Sequence, residues 1–542
     1  MPTLAIYDVM KIQDFVFNSN KTKENLGASI IVQKVIEEGL KNSLPKNAYH
    51  DWKAAPYDLK IQNGSQTEAE VVYTGGGNAM VIYNDDNIAE KCTKTLSQDI
   101  LKKTGGMLQI SFSVEKLDEN SNFQQVRSNL FQKLKQNKAN KRYSFPLMGI
   151  GLTRLGDTDG LPAVDKVNNE YLSRSALLKL QAYNESDKYF EEKLRKNYNF
   201  EKEFDKLGQE TGENYIAVVH IDGNNMGSTL ENVLNRNEIT QHQQAIPVIR
   251  EFSKTLDDIF IETFKIVFEK FQDRLVTDPD FCKKYLNKDG NLIIRPIVLN
   301  GDDITFVTHG KLGITLTEHF LVELNKRSPM KLEVAGESIP VSACAGSAIV
   351  KSHFPFYRAY NLAEELCKSA KQKAKTLAQK DGKEDIGNWL DYHIVYTGVT
   401  TSLNTLRRQY YQVPGMNEAK PIEVNGNGKK AEMLYDQYNL LWRPWCVAGN
   451  VDEQYKWEQL KSIFDEFVNK NKDENNPWKR SRLKKLRNTM IKSDNDIRTL
   501  LAHYNSRGIG LPSFNGVKAV FPDNNQTPYF DALELIDFFE QL

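Results

Sequence analysis

Residues 293–307 read IIRPIVLNGDDITFV, two apolar runs on either side of a short polar turn. Ile, Val and Phe are favoured in strands, and a turn of Gly and Asp between two such runs is typical of a β-hairpin. Upstream, residues 215–222 read YIAVVHID, an apolar run that ends at Asp222. We therefore expect a strand-end carboxylate beside a hairpin turn that carries two more, Asp302 and Asp303.

The first part of the chain repeats this order of elements. Its elements are the strand TLAIYDV at 3–9, the helix NLGASIIVQKVIEEGL at 25–40 and the hairpin AEVVYTGGGNAMVIYN at 69–84. The separations are similar, because Asn78 follows Asp8 by 70 residues and Asp303 follows Asp222 by 81. Duplicated ferredoxin-like βαββαβ units explain the repetition better than a chance match.

The remaining chain shows other patterns. A Gly- and Asp-rich segment and a charged helical stretch follow the first repeat, and amphipathic helical patterns with few strand signals form the C-terminal part. We predict an α+β protein. Its expected parts are a first ferredoxin-like domain at 1–145, a partly helical connector at 146–210, a second ferredoxin-like domain at 211–402 and a C-terminal α-helical domain at 403–542.

Composition indicates an ordinary globular protein. Of its 542 residues 40% are hydrophobic and 26% charged, and its 23 Tyr and 26 Phe exclude disorder as the dominant state. Lys plus Arg and Asp plus Glu both number 71, so the formal net charge is zero. Proteins that wrap nucleic acid usually have a strong basic excess, so this class is disfavoured, although a local basic patch stays possible.

The N-terminal residues and the cysteines indicate the cellular compartment of the protein. Asp8 and Asp14 interrupt the apolar residues near the N-terminus, which argues against a signal peptide and a membrane span. The five cysteines are scattered without a CxxC pair, which fits a reducing compartment and argues against a disulfide framework or a structural zinc site. We expect a cytoplasmic protein without membrane contact.

The three carboxylates have the pattern of a metal site. Carboxylates that a fold brings together repel one another unless a cation lies between them. Oxygen ligands suit Mg²⁺ or Mn²⁺, and two such ions can hold the attacking and leaving oxygens of a nucleotidyl transfer. We assign Asp222, Asp302 and Asp303 as metal ligands and catalytic residues, with the backbone carbonyl of Ile221 as an additional ligand. The alternative is a polar turn without function, since Gly and Asp are common in turns.

Groups that bind nucleotide are expected beside the carboxylates. Gly223, Asn224 and Asn225 precede a helical segment, whose N-terminal N–H groups would face a triphosphate. We assign these three residues, together with Asn300 and Gly301 of the hairpin turn, to the nucleotide site.

The helical pattern at 357–380 adds a basic stripe. Lys368, Lys371 and Lys375 lie at i, i+3 and i+7, next to a face of Leu and Ala that packs on the sheet. We assign Lys371 to a triphosphate contact because it follows the packed Ala370. A solvated lysine face is the alternative.

The first hairpin lacks the carboxylates. Gly77 and Asn78 stand in place of the two turn aspartates, and a neutral amide does not hold a divalent ion as a carboxylate does. We expect this unit to be catalytically empty but able to bind nucleotide through the turn backbone of Gly76, Gly77 and Asn78 and through Ser29. Ser29 is equally compatible with a helix residue that packs on the sheet.

A second basic run lies in the C-terminal part. WKRSRLKKLRNTM at 478–490 places six Lys or Arg within 479–487, and Leu483, Leu486 and Met490 give it an apolar face. A helix that faces a partner or RNA and a solvated helix are both compatible with this pattern.

Five motifs occur in the order of a known family. Over about residues 1–400 the chain resembles the large polymerase-like subunit of type III CRISPR effector complexes, whose two cyclase-like units are called palm domains. The matching segments are IYDVMKIQDFVFNSNKTKENLGASII at 6–31, TGGGNAMVIY at 74–83, HIDGNNMGSTL at 220–230, NGDDITFV at 300–307 and SACAGSAIVKSHFPFYRAYNLAEELCKSAKQKAK at 342–375. The C-terminal part agrees with that subunit's helical domain only in kind.

The resemblance implies an enzyme of antiviral defence that converts ATP to cyclic oligoadenylate, a second messenger. It implies Asp222, Asp302 and Asp303 as metal ligands, with one ATP on each palm. The 3′-hydroxyl of one ATP would attack the α-phosphate of the other and expel pyrophosphate. The implied partners are the other effector subunits with guide RNA and target RNA. GGDEF diguanylate cyclases and class III nucleotide cyclases have similar palms, so the fold does not determine the product.

The sequence departs from the family in three places. Asn300 replaces the first Gly of the usual GGDD, and the zinc-binding cysteine cluster is missing. The chain begins at the first palm, and we expect no HD nuclease domain, because the dipeptide His50-Asp51 lacks companion ligands. Two alternatives stay open: a catalytically idle scaffold or nucleotide-binding subunit, and a stand-alone cyclase that makes another cyclic nucleotide.

Overall fold

The structure is a computed structural model of the chain. It describes all residues except 1, 18, 20, 62–65, 119–120, 141–150, 197, 209–213, 288, 384, 397–401, 415–436, 469–476 and 523–524.

The first domain is a four-stranded antiparallel sheet with helices packed on it. Its strands are β1 (Thr3–Met10), β2 (Ala69–Gly75), β3 (Asn78–Tyr83) and β4 (Gln109–Lys116), and its helices are α1 (Ile12–Phe17), α2 (Thr22–Ser43), α3 (Asp86–Lys103) and α4 (Phe123–Asn140). The strand order is β2-β3-β1-β4. This order, with helices in both crossovers, is that of a ferredoxin-like unit.

The connector packs on the first domain. It contains the hairpin β5 (Ala163–Val167) and β6 (Glu170–Ser173), the helices α5 (Arg174–Asn184) and α6 (Ser186–Leu194) and a short 3₁₀ helix (Phe204–Gly208). Helix α5 lies so close to α2 that a Cβ added at Gly27 would be 1.8 Å from the carbonyl oxygen of Lys179. The Lys179 ammonium donates a hydrogen bond to the Phe15 carbonyl at 2.7 Å. These contacts pack the described part of the connector against the first domain.

The second domain repeats the first. Its strands are β7 (Tyr215–Gly223), β8 (Ile294–Asn300), β9 (Asp303–His309), the short pair β10 (Met330–Leu332) and β11 (Glu337–Ile339), β12 (Ala343–Lys351) and β13 (Asn388–Ile394). Its helices are α7 (Met226–Arg236), α8 (His242–Thr277), α9 (Pro279–Tyr285), α10 (Gly313–Arg327) and α11 (Phe356–Asp381). The strand order β8-β9-β7-β12 matches that of the first domain, and β13 then pairs parallel with β12. The predicted α+β class and the predicted repetition of the unit are confirmed.

The C-terminal part is mainly helical but also completes the second sheet. Its elements are α12 (Leu403–Tyr410), β14 (Gln412–Pro414), β15 (Gln437–Asn439), β16 (Trp445–Ala448), a 3₁₀ turn (Glu453–Tyr455), α13 (Trp457–Val468), α14 (Arg480–Met490), α15 (Asp494–Asn505) and α16 (Tyr529–Phe538). Strand β16 pairs antiparallel with β13 and makes the sheet six-stranded. The C-terminal part, which was expected to be helical with few strand signals, thus also contributes a strand to the second sheet, because the open edge of β13 has backbone groups that a further strand satisfies.

Helix α8 joins the two domains. The guanidinium of Arg250 is fully buried and donates hydrogen bonds to the Glu70 carboxylate and the Val71 carbonyl of β2, both at 2.7 Å. A buried ion pair of this kind is tolerated better when its remaining polar atoms are also bonded. Arg250 donates to the carbonyls of Tyr57 and Asp58 through Nη1, while its Nε has no hydrogen-bond partner among the described residues. The long helix thereby sets the position of the first hairpin relative to the second.

Helix α14 has the apolar face and the basic face that its sequence pattern predicts. Leu483, Leu486 and Met490 are buried, whereas Lys484 and Lys485 are exposed. No helix in the described part of the chain combines the length and the apolar character that a membrane crossing requires.

Candidate active site

Two neighbouring strands bring the predicted carboxylates together. In the register of β7 and β9, Asp222 lies directly opposite Asp303, and Asp302 is the turn residue just before it. Asn300 lies opposite Asp303 on the other side, at the end of β8. The pairing of the two strands, which are far apart in sequence, therefore creates a cluster of three carboxylates.

Gly223 leaves room for the second carboxylate. The backbone N–H of Gly223 donates a hydrogen bond to the Asp302 carbonyl at 3.1 Å. A Cβ added at Gly223 would lie 2.6 Å from Oδ2 of Asp302, closer than side-chain atoms tolerate. A glycine at this position is thus needed for the Asp302 side chain to lie over the end of β7.

The turn geometry explains why Asn300 is compatible with this hairpin. Gly301 has a φ of +59°, which favours glycine, whereas Asn300 and Asp302 do not have positive φ values. A glycine with positive φ in the first central position of a two-residue hairpin is the pattern of a type II′ turn. The departure from the family's GGDD motif therefore falls at a residue whose backbone does not require glycine.

Lys371 contacts the cluster directly. Its ammonium donates hydrogen bonds to Oδ2 of Asp222 at 2.5 Å and to the Gly223 carbonyl at 2.7 Å. Helix α11 carries Lys371 there because it packs tightly on β12, where a Cβ added at Gly346 would be 2.0 Å from the Ala363 carbonyl oxygen. Burial alone would lower the pKa of Lys371, but the Asp222 carboxylate raises it, so the side chain is cationic.

The two turn carboxylates have strongly raised pKa values. Burial, followed by the negative charge of Asp222, raises the pKa of Asp302 to about 6 and that of Asp303 to about 8. Although 43% of the Asp303 side chain is exposed, its Oδ1 atom is buried and has no hydrogen-bond partner among the described residues. A carboxylate cluster in which Asp303 holds a proton at pH 7 and has a buried oxygen without a hydrogen-bond donor fits a divalent cation that prefers oxygen ligands.

A second group of candidate ligands lies behind Asp222. The nearest ligand atoms of His220, Asp222 and Cys367 lie within 4.8 Å of one another. Burial holds the pKa of the Cys367 thiol well above its ordinary value, and this thiol donates to the Cys344 carbonyl at 3.2 Å. A protonated, hydrogen-bonded thiol is a poor metal ligand. The geometry therefore favours the aspartate cluster over this group.

The residues predicted to bind the triphosphate at the start of α7 differ in what their side chains contact. Asn224 is buried, and its amide donates to the Ser342 hydroxyl at 3.1 Å and to the Gly387 carbonyl at 3.0 Å, so this side chain holds neighbouring loops. Asn225 lies at the N-terminus of α7 with a φ of +58° and makes no side-chain cap. Ile221 is buried near the C-terminal end of β7, and its carbonyl stays a predicted ligand.

Both hairpin turns open onto one cleft of about 530 Å³ between the domains. Its lining includes the predicted residues of both turns, namely Gly76, Gly77, Asn78, Asn300, Gly301, Asp302 and Asp303. Ser29 does not line the cleft: its buried hydroxyl donates to the Ile297 carbonyl on β8. Of the two alternatives for Ser29, this geometry favours the helix residue that packs on the sheet, because its hydroxyl is already bonded away from solvent.

The first turn has a different backbone from the second. Gly76 and Gly77 both have positive φ values, +59° and +80°, which is the pattern of a type I′ turn. A Cβ added at Gly77 would also lie 2.7 Å from Ile12. An aspartate in this position would be strained, so the first turn is not suited to carry the carboxylate that the second turn carries.

Several residues of the site were missed by sequence reasoning. Lys138 on α4 pairs with Asp8 at 2.5 Å, in the same way as Lys371 on α11 pairs with Asp222. Lys138 could have been predicted from the sequence, because it lies on the helix after the fourth strand, as Lys371 does in the second domain. Asp257, in the middle of α8, accepts a hydrogen bond from the Gly301 N–H at 3.2 Å, and no sequence pattern distinguishes it from other polar residues of that helix.

Two ferredoxin-like sheets whose hairpin turns face a common cleft, with carboxylates on one of them, define a protein with paired palm domains. Residues 215–382 match the model of the second palm domain of Cas10/Cmr2. The resemblance to the large subunit of type III CRISPR complexes is thereby confirmed. No curated protein matches the chain by sequence.

Solved structures extend the similarity to the fold of nearly the entire chain. The Csm1–Csm4 cassette in complex with pppApA is similar with a TM-score of 0.51 at 13% identity, over 99% of this chain and 69% of the other. The cassette in complex with AMPPNP has a TM-score of 0.50 at 13% identity, with the same coverage. Csm1 from T.onnurineus has a TM-score of 0.48 at 13% identity, over 99% of this chain and 70% of that one.

Proposed function

We propose that this protein is a nucleotidyl cyclase that joins ATP molecules into cyclic oligoadenylate. The observation that carries the proposal is the shared cleft, in which a turn with two carboxylates faces a second, carboxylate-free glycine turn. The first turn would bind one nucleotide through its backbone, and the second would position the α-phosphate of another. The family of the second palm and the fold of the entire chain support this arrangement.

The carboxylate cluster provides the chemistry. Asp222, Asp302 and Asp303 would hold Mg²⁺ or Mn²⁺, with the Ile221 carbonyl as an additional ligand. These ions would activate the attacking hydroxyl and stabilise the charge on the leaving group. A bond forms between the 3′-oxygen of one ATP and the α-phosphorus of the other, the bond from that phosphorus to the β-phosphate oxygen breaks, and pyrophosphate and the hydroxyl proton leave.

Nucleotide contacts would come from residues around the cluster. Lys371 would contribute a positive charge to the triphosphate next to Asp222, and the backbone of Gly223, Asn225 and Gly301 would contribute N–H donors. Asn224 would act by holding the loop that carries these donors, since its own amide is bonded within the protein.

Solved relatives indicate the ligand class and the partner. The related cassettes contain Csm1 together with Csm4, and they were solved with pppApA and with AMPPNP. We extend this to the present chain: ATP is the substrate, a linear triphosphate dinucleotide is an intermediate, and a Csm4-like subunit with guide and target RNA is the assembly in which it acts, in the cytoplasm.

The test is product analysis by mass spectrometry. Purified protein is incubated with mixed nucleoside triphosphates and Mg²⁺ or Mn²⁺, with and without partner subunits and target RNA. We expect cyclic adenylates that are lost in the Asp302→Ala/Asp303→Ala variant. Unchanged product formation by this variant would show that the catalytic assignment is wrong.

One observation favours the alternative of an idle nucleotide-binding subunit. Lys371 is hydrogen-bonded to Asp222, and an ammonium in this position competes with a metal ion for the carboxylate. Calorimetry distinguishes the two functions, because the idle subunit would bind ATP without any dependence on divalent cations, whereas the cyclase requires them.

A further inference from the structure

We propose that Lys53 and Lys193 bind the 5′-triphosphate of the acceptor nucleotide, the one whose 3′-hydroxyl attacks. This inference rests on the proposed cyclase function and adds a phosphate subsite in the cleft, next to the turn that carries Asp302 and Asp303. Both lysines line the cleft that contains the two hairpin turns.

The two ammonium groups converge on one carboxylate. Lys53 lies in the segment between α2 and β2, and its Nζ is 2.8 Å from Oδ2 of Asp257. Lys193 lies on the connector helix α6, and its Nζ is 3.1 Å from Oδ1 of the same residue. That Oδ1 atom also accepts the hydrogen bond from Gly301. The lysines are therefore separated from the carboxylate-bearing turn by a single side chain.

The contact at Asp257 has one cation more than it has carboxylates. Asp257 is only 15% exposed, and it is shared by two ammonium groups, so one positive charge is left without a carboxylate in this contact. Burial would raise the pKa of Asp257, but Lys193 and Lys53 lower it, which keeps its carboxylate ionised. Lysine is a compact point charge that suits phosphate oxygens, and its long side chain can turn from Asp257 to a ligand in the cleft.

The acceptor nucleotide requires such charges. The donor nucleotide places its phosphates at the metal site and loses pyrophosphate, whereas the acceptor keeps its 5′-triphosphate in a product such as pppApA. That triphosphate carries several negative charges and needs cations other than those at Asp222. Lys53 belongs to the first domain, whose glycine turn would hold the acceptor, Lys193 belongs to the connector, and both line the same cleft as that turn.

The experiment compares acceptors with and without the triphosphate. Rates of adenylate transfer from ATP to pppApA and to ApA are measured for the wild type, Lys53→Gln, Lys193→Gln and the double variant. We expect the double variant to use pppApA about tenfold or more less efficiently, as the loss of charge-assisted hydrogen bonds predicts, with ApA used as by the wild type. Lys188→Gln on the same helix is the matched control, because Lys188 is 79% exposed and pairs only with Glu192 among the described contacts.

An equal loss of transfer rate with pppApA and with ApA would indicate a structural role of the lysines and overturn the proposal. Unchanged transfer to pppApA by the double variant would also overturn it. Calorimetry with AMPPNP separates this inference from the cyclase function, since it needs no turnover. If the wild type makes no product but binds AMPPNP, the double variant must bind it about tenfold more weakly and with a smaller dependence on salt. Equal binding by variant and wild type, or no binding by the wild type, overturns the subsite.

Discussion

Asp8 and Asp222 occupy equivalent positions in the two palm domains, and each is ion-paired at 2.5 Å with a lysine on the helix after the fourth strand. Asp8 lies opposite Asn78 in its sheet, whereas Asp222 lies opposite Asp303. The duplicated fold thus keeps the strand-end carboxylate and its lysine in both halves. The two halves differ in the hairpin turn, where Gly77 and Asn78 of the first domain stand in place of Asp302 and Asp303.

Metal affinity should depend on pH. Asp302 and Asp303, with pKa values raised to about 6 and about 8, hold protons that a divalent cation must displace. We expect Mn²⁺ to bind more tightly as the pH rises from about 6 to about 8, with protons released on binding. Calorimetry in buffers of different ionisation enthalpy measures both quantities. An affinity that does not change over this range would contradict the assignment.

The same groups should make the metal-free protein less stable at higher pH. The folded-state pKa of Asp303 lies above its ordinary value of 3.8, so the folded state binds more protons than the unfolded state between these two values, and stability falls as the pH rises towards 8. Asp303→Asn removes this loss. In the presence of a chelator its melting temperature should exceed that of the wild type at pH 8, and the difference should shrink towards pH 5. Mg²⁺ should stabilise the wild type more than the variant.

Gly223→Ala should disrupt the carboxylate cluster. The new Cβ would lie 2.6 Å from Oδ2 of Asp302, so the turn must move away from Asp222. We expect cyclase activity to fall about tenfold or more, since small displacements of reacting groups have effects of this size. Gly227→Ala, where no atom lies within 4 Å of the new Cβ, is the control and should retain activity. Equal activity of the two variants would show that Asp302 does not need its present position.

Lys371→Met should change metal and nucleotide binding in opposite directions. Removal of the ammonium beside Asp222 reduces repulsion of a cation, so the Mg²⁺ concentration for half-maximal activity should fall. Loss of a positive charge near the triphosphate should raise the KM for ATP about tenfold. Lys368→Met on the same helix, whose lysine pairs with Glu364 and is 67% exposed, should leave both unchanged. A Lys371→Met variant with an unchanged KM would assign Lys371 a purely structural role.

Arg250→Met should destabilise the junction of the two domains. It leaves Glu70 as a fully buried carboxylate without its cation, a change that costs about 3–5 kcal/mol in the free energy of unfolding. Urea unfolding measures the loss. The double variant Glu70→Gln/Arg250→Met should recover part of it, because no uncompensated charge remains. A single variant as stable as the wild type would show that the pair does not hold the domains together.

Local patterns were sufficient to predict most of the fold. Apolar runs with short polar turns predicted the hairpins at Gly76–Gly77 and Gly301–Asp302, and their repetition predicted two copies of one unit. The strand β16 was not predicted, because it pairs with β13, which lies more than fifty residues earlier in the chain. Pairing of this kind depends on which sheet edge stays open after folding, and a short apolar run does not reveal that.

The sequence by itself determined that three carboxylates lie at the ends of two strands. It also determined that the turn of the first hairpin has no aspartate. Residue type and strand order suffice for this, since neighbouring strands of a ferredoxin-like unit always bring these positions together. Only the tertiary structure decided which cations besides Lys371 lie near the carboxylate-bearing turn. Lys53, Lys193 and Asp257 come from three separate segments, and they meet because α8 packs across both domains. The tertiary structure also decided between the two alternatives for Ser29, since its hydroxyl donates to the Ile297 carbonyl, which belongs to the other domain.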